Sequence, residues 1–241
     1  MQQTTTDEPE KTPGRPPFTR FGVLCGMRDI APIGLLVVPF GLAFGVAATQ
    51  KGLDPLLATL MSFLVTAGAS QFAALDLWIG PLPVALILLI TLAINARHLI
   101  YGAALYPWLA PLPPLQRYAV LAVTTDSSWA YAIAERSKYR DDAGILLGSA
   151  LVLWLTWTVS TLLGALFGAG IGEPKRFGLD VLMVVFFSTT LVGMWRGRDD
   201  IKPWLAAALG ALLALWLLPN GWHIIVGALC GGVLGVLADD A

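Results

Sequence analysis

Long apolar runs separated by short polar or Gly/Pro-rich connections set the pattern of this chain. They fall at about 28–50, 55–77, 83–105, 118–136, 143–170, 178–195, 203–218 and 222–238. Most are about 17 to 25 residues long, the length a helix needs to cross a hydrocarbon core. None alternates apolar and polar residues as the strands of a membrane β-barrel do. The pattern predicts an all-α fold, a polytopic bundle of transmembrane helices. The last two runs are short and joined by Pro219-Asn-Gly-Trp222. They form either two spans or one re-entrant hairpin, so the bundle has seven or eight helices.

Composition agrees with a lipid solvent. Hydrophobic residues make up 56 % of the 241 and charged residues 13 %, against about 25 % charged in a soluble domain. A net charge of −1 points to no nucleic-acid partner. Residues 1–17 are rich in Thr, Pro and charge and lack the apolar stretch of a signal peptide. With the interfacial stretch from Phe18 to Met27 they read as a disordered cytoplasmic tail, 1–27, ahead of a single transmembrane domain, 28–241. Orientation follows from the basic residues. With the N-terminus inside, Lys11, Arg15, Arg20, Arg28, Arg136, Lys138, Arg140, Arg196, Arg198 and Lys202 are cytoplasmic, while Lys51, Arg117, Lys175 and Arg176 are external. Ten against four predicts a cytoplasmic N-terminus.

Candidate chemistry lies where polar or helix-breaking residues interrupt the apolar runs, since such groups inside hydrocarbon must be paired, hydrated or functional. The first run carries Pro32, Gly34, Pro39, Gly41 and Gly45. A proline removes a backbone donor and crowds the carbonyl four residues back, which predicts a kinked or broken helix. Breaks near the midplane free backbone groups for a substrate, or merely fit a helix to its neighbours. The second run contains Thr66-Ala-Gly68-Ala-Ser70-Gln71-Phe72, small residues for close approach beside hydroxyl and amide partners. The third ends in Asn95-Ala-Arg97-His98-Leu-Ile-Tyr101. Asn95 and His98 share one helix face, and Arg97 and Tyr101 another.

Two further patterns bear on architecture. Gly41-Leu-Ala-Phe-Gly45 followed by Gly52-Leu-Asp54 resembles Gly164-Ala-Leu-Phe-Gly168 followed by Gly178-Leu-Asp180. That is either an internal repeat, parallel if the units are four helices apart as in the eight-span arrangement and otherwise inverted, or the shared small-xxx-small spacing of packed helices. Arg97 and Asp126 each lie eight residues inside the outer end of a predicted span, about 12 Å deep at 1.5 Å per residue. At that depth they can form either a structural salt bridge or a coupled pair beside a substrate path. No nucleophile–base–oxyanion arrangement, phosphate loop or metal-ligand cluster is present, and Cys25 and Cys230 have no paired spacing. Enzyme chemistry, cofactor and metal are not indicated.

The ordered succession of Pro39-Phe-Gly41-Leu-Ala-Phe-Gly45, Gly52-Leu, Ala67-Gly68-Ala69-Ser70-Gln71-Phe72 and Asn95-Ala-Arg97-His98 with Tyr101-Gly102 resembles the AzlC-type large subunit of bacterial branched-chain amino acid exporters. The resemblance implies a multi-pass protein of the bacterial inner membrane that exports leucine, isoleucine, valine and perhaps methionine. It also implies a small hydrophobic partner of the AzlD type. A zwitterionic substrate with a short apolar side chain needs a carboxylate site, an ammonium site and a dry pocket. Pro39, Gly41, Gly68, Ser70, Gln71, Phe72, Asn95, Arg97 and Asp126 are the candidates to supply these, with Phe40 and Phe44 also available to line the pocket. Placing Gln71 near Asp126 requires the second helix to break near Gly68. The alternative function is a channel or permease for another small polar or amino-acid-like solute.

Overall fold

A computed structural model of the chain describes residues 18–78, 80–168, 197–219 and 221–239, with isolated positions between 181 and 195. The described elements are helices, and there is no strand among them. They are α1 (Arg20–Gln50), α2 (Pro55–Val65), α3 (Gly68–Asp76), α4 (Val84–Asn95), α5 (Arg97–Leu109), α6 (Pro114–Val123), α7 (Asp126–Glu135), α8 (Gly144–Gly168), α9 (Ile201–Leu217) and α10 (Trp222–Asp239). Four stretches are long and apolar enough to cross a membrane: Arg20–Gln50, Val84–Leu109, Gly144–Gly168 and Arg198–Leu217. The predicted tail at 1–17, the predicted sixth span at 178–195 and the Gly178-Leu-Asp180 half of the repeat lie essentially outside the described residues.

Two predicted spans are divided. The second is cut at Thr66–Ala67, where Thr66 adopts the left-handed conformation (φ 48°) and Ala67 precedes a new helix at Gly68. The fourth, expected as one helix over 118–136, is cut at Thr124–Thr125, both extended. Thr125 caps α7: its hydroxyl accepts from the Ser128 amide, and Ser128 Oγ accepts from the Thr125 amide. Ser and Thr compete with the helix for backbone partners in this way, and two threonines ahead of Asp126-Ser-Ser128 are enough to end one helix and begin another. The first span is the opposite case. The break expected near Pro39–Gly41 is absent, and α1 runs as one helix through both prolines, beginning at Arg20 rather than at 28.

The chain forms two compact units, Met1–Pro32 with Leu99–Leu153, and Ile33–His98 with Trp154–Ala241. In the first, Leu105, Trp108, Leu109, Val120, Ala132, Ile145 and Leu146 make the core. The start of α1 lies against the start of α8 at Gly26 and Gly148, whose missing Cβ atoms let the two backbones touch. In the second, the core is Phe44, Ala48, Leu53, Ala58, Phe72, Leu75, Trp157 and Ala165. Here Gly45 faces the Thr161 carbonyl and Gly164 the Leu42 carbonyl. The glycines at 41, 45 and 164 are therefore the contact surface of α1 and α8, which run in the same direction there. Asp54 caps α2 by accepting from the Leu56 amide at 2.8 Å, with Pro55 in the first turn, where its missing N–H costs nothing. The α9–α10 hairpin packs on itself through Gly210 against Cys230 and Gly227 against Ala207 and Ala211.

Candidate functional site

The break in the second span is the most unusual backbone of the second unit. A helix end leaves amides or carbonyls without intrahelical partners, and in hydrocarbon these must be met by protein, water or ligand. On the α2 side, the Phe63 carbonyl accepts from Trp154 Nε1 at 2.9 Å. On the α3 side, Ala67 offers no side-chain cap to the first-turn amides, and Ser70 Oγ turns back to donate to the Ala67 carbonyl at 3.0 Å. An uncapped helix N-terminus in apolar surroundings is suited to an anionic group.

Behind this break is a buried polar chain. Trp157 Nε1 donates to Gln71 Oε1 at 2.8 Å, Gln71 Nε2 donates to Ser62 Oγ at 3.0 Å, and Ser62 shares a hydrogen bond with Thr161 at 2.8 Å. Ser62, Gln71 and Thr161 are fully buried. An unpartnered amide there would cost about 1–3 kcal/mol, so the chain holds α2, α3 and α8 in a defined register. Around it sit three aromatic rings. Phe44 meets Phe72 edge-on at 5.3 Å and stacks on Trp157 at 6.0 Å. Gly68 lies beneath the indole: a Cβ there would come within 2.7 Å of Trp157 Cη2.

Of the predicted site residues, all but Asp126 belong to this unit; Gly41 and Gly68 are close-approach positions, Ser70 and Gln71 are hydrogen-bonded, and Phe72 is buried in the aromatic cluster. Gly41 faces Ser160 on α8. Pro39 is exposed on α1. Asn95 and Arg97 flank Ala96, the joint between α4 and α5. His98 Nδ1 is bonded to the Asn95 carbonyl at 3.0 Å, so these two residues share a face as their spacing predicts. Asn95 Oδ1 is buried with no hydrogen-bond partner among the described residues. Asp126 belongs to the first unit, where it opens α7. A carboxylate at a helix N-terminus is favoured by the helix dipole, which supplies a reason for its position that a continuous fourth span would lack.

Sequence reasoning missed the α8 side of the site. Trp154, Trp157 and Thr161 are spaced three and four apart and therefore share one face, a signal present in the sequence but shared with ordinary apolar helices. It also missed a polar cluster in the first unit, where Asp29 Oδ2 accepts from Tyr139 at 2.5 Å and from Tyr131 at 3.3 Å, with Lys138 Nζ at 3.6 Å. The hydrogen bond to the Asp29 carboxylate pushes the Tyr139 phenol above its ordinary pKa. No group of three or more His, Cys, Asp or Glu is placed to hold a metal among the described residues.

Residues 32–171 match the family model described as AzlC protein. The chain is 29 % identical over 236 residues to the inner membrane protein YgaZ of Escherichia coli K12, covering 92 % of this chain and 91 % of that one. It is 26 % identical to the branched-chain amino acid transport protein AzlC of Bacillus subtilis 168, over 82 % and 76 % of the two chains. An uncharacterized membrane protein of Haemophilus influenzae Rd is 25 % identical over 79 % and 78 %. No solved structure is significantly similar.

Proposed function

The chain belongs to the AzlC family of membrane transport proteins, and on that premise we propose that it is a secondary transporter exporting leucine, isoleucine, valine and methionine across the bacterial inner membrane. The observation that supports this most is the cut at Thr66–Ala67, which presents an uncapped helix N-terminus beside an aromatic wall. In this reading the amides of Gly68, Ala69 and Ser70 take the substrate carboxylate. Carbonyls at the end of α2 take the ammonium, because Gln71 already spends its oxygen on Trp157. Phe44 and Phe72 face the aliphatic side chain. Transport depends on the charges of both Arg97 and Asp126, and a small AzlD-type subunit completes the functional unit. The N-terminus lies in the cytoplasm.

The test is counterflow of labelled leucine in proteoliposomes carrying this chain with a candidate small subunit. Uphill exchange driven by unlabelled valine is expected, and Gly68→Leu, whose side chain must displace the Trp157 ring, abolishes it at normal insertion. Leucine movement that only follows its own gradient, as through a pore, overturns the carrier mechanism.

A further inference from the structure

The face of α8 that meets the broken span does more than pack. Trp154 donates to the Phe63 carbonyl and Thr161 is bonded to Ser62, both on α2, while Trp157 is bonded to Gln71 on α3. One helix face therefore grips both pieces of the interrupted span, on either side of Thr66–Ala67. Trp157 touches α3 at two points three residues apart, Gly68 under its ring and Gln71 at its N–H. α8 is also fixed to α1 by backbone-to-backbone approach at Gly45 and Gly164, so it has little freedom to follow α3.

We propose that Trp157 is a positioning residue for transport: by holding Gln71 it fixes the first turn of α3, and hence the amides of Gly68, Ala69 and Ser70, relative to the end of α2. Among the described residues the indole N–H is the direct polar link from α8 to α3; without it, Gln71 is tied to α8 only through Ser62 and Thr161, and the first turn of α3 meets α8 through the ring alone. The functional half of this inference rests on the transporter reading; the structural half does not.

Two variants separate positioning from stability. Trp157→Phe removes the N–H and leaves Gln71 Oε1 buried without its donor. Trp157→Phe combined with Gln71→Met removes the acceptor as well, together with its bond to Ser62, so no Gln71 oxygen is left buried without a donor, which is the costly part of breaking a buried hydrogen bond. Both are made in a chain with Cys25→Ser, Cys230→Ser and Ala69→Cys, in which a small thiol reagent reports access to the first turn of α3. The single variant is expected to lower Tm and the double to regain part of the loss. In both, the labelling rate and the KM for leucine counterflow rise by roughly three- to tenfold, the worth of one hydrogen bond. Labelling and KM that stay at the parent value, or that return to it together with Tm, overturn the proposal. If the parent chain carries no branched-chain amino acid, the transporter reading fails, and the labelling rates alone then decide whether Trp157 fixes α3.

Discussion

Gly45 offers the sharpest test of the packing that holds the second unit together. A Cβ placed there meets the Thr161 carbonyl oxygen, the Ala165 nitrogen at 2.5 Å and the Gly164 carbonyl carbon at 2.9 Å, all backbone. No side chain can rotate away, so Gly45→Ala must separate α1 from α8. Overpacking of this kind costs about 1–3 kcal/mol, and the helix propensity of alanine offsets about 1 of that, leaving a net loss of about 0–2 kcal/mol. Gly232 on α10 is the control, with nothing within 4 Å of its added Cβ. There the propensity acts alone and stabilises by up to about 1 kcal/mol. The propensity gain is common to both, so the two variants differ by the overpacking cost, and at roughly 2–4 °C per kcal/mol for a chain of this size their Tm values should differ by about 2–12 °C. Tryptophan fluorescence of the purified proteins in one detergent, heated at one rate, measures the difference. If Gly45→Ala unfolds at the same temperature as Gly232→Ala or above it, the close α1–α8 contact is wrong.

Three other outcomes follow from the same account. A periplasm-dependent phosphatase fused after Arg140 should be inactive, because the bias of basic residues predicts a cytoplasmic 136–142 loop; high activity there reverses the topology. Arg97→Ala and Asp126→Asn should each impair transport, and the double variant should lose less than the two singles combined, whereas strictly additive losses at equal expression exclude coupling. Leucine transport should be inhibited by isoleucine, valine and methionine to similar degrees, since a hydrophobic pocket separates one methylene by only about 1–3 kcal/mol, and lysine and glutamate should not compete. Inhibition by charged amino acids as strong as by valine would remove the dry pocket.

The helical, membrane-spanning class was legible because apolar length depends on local sequence alone. The cut in the second span was legible in part: small residues at Ala67-Gly68-Ala69 marked where the helix could yield, and it does yield at Thr66–Ala67. The cut in the fourth had a signal of its own, Thr125 and Ser128 in capping positions, masked by the apolar residues on either side. The prolines of the first span misled in the other direction. Proline weakens the helix locally, but α1 is held along its length by close glycine contacts with α8 at Gly26, Gly41 and Gly45, and it stays continuous. Gln71 was recognisable as an unusual intramembrane amide, yet its partner Trp157 is 86 residues away, and only the tertiary structure shows that its oxygen is already engaged.

The central claim, that this chain moves branched-chain amino acids out of the cell, is tested most directly by efflux. Cells lacking endogenous exporters are loaded with dipeptides containing labelled leucine, isoleucine or valine, and the medium is sampled with and without this chain and a candidate small subunit. Faster appearance of the labelled amino acids, dependent on this chain and lost in the Gly68→Leu protein, is the predicted result. Efflux at the rate of cells without the chain, with the protein and its partner present in the membrane, would contradict it.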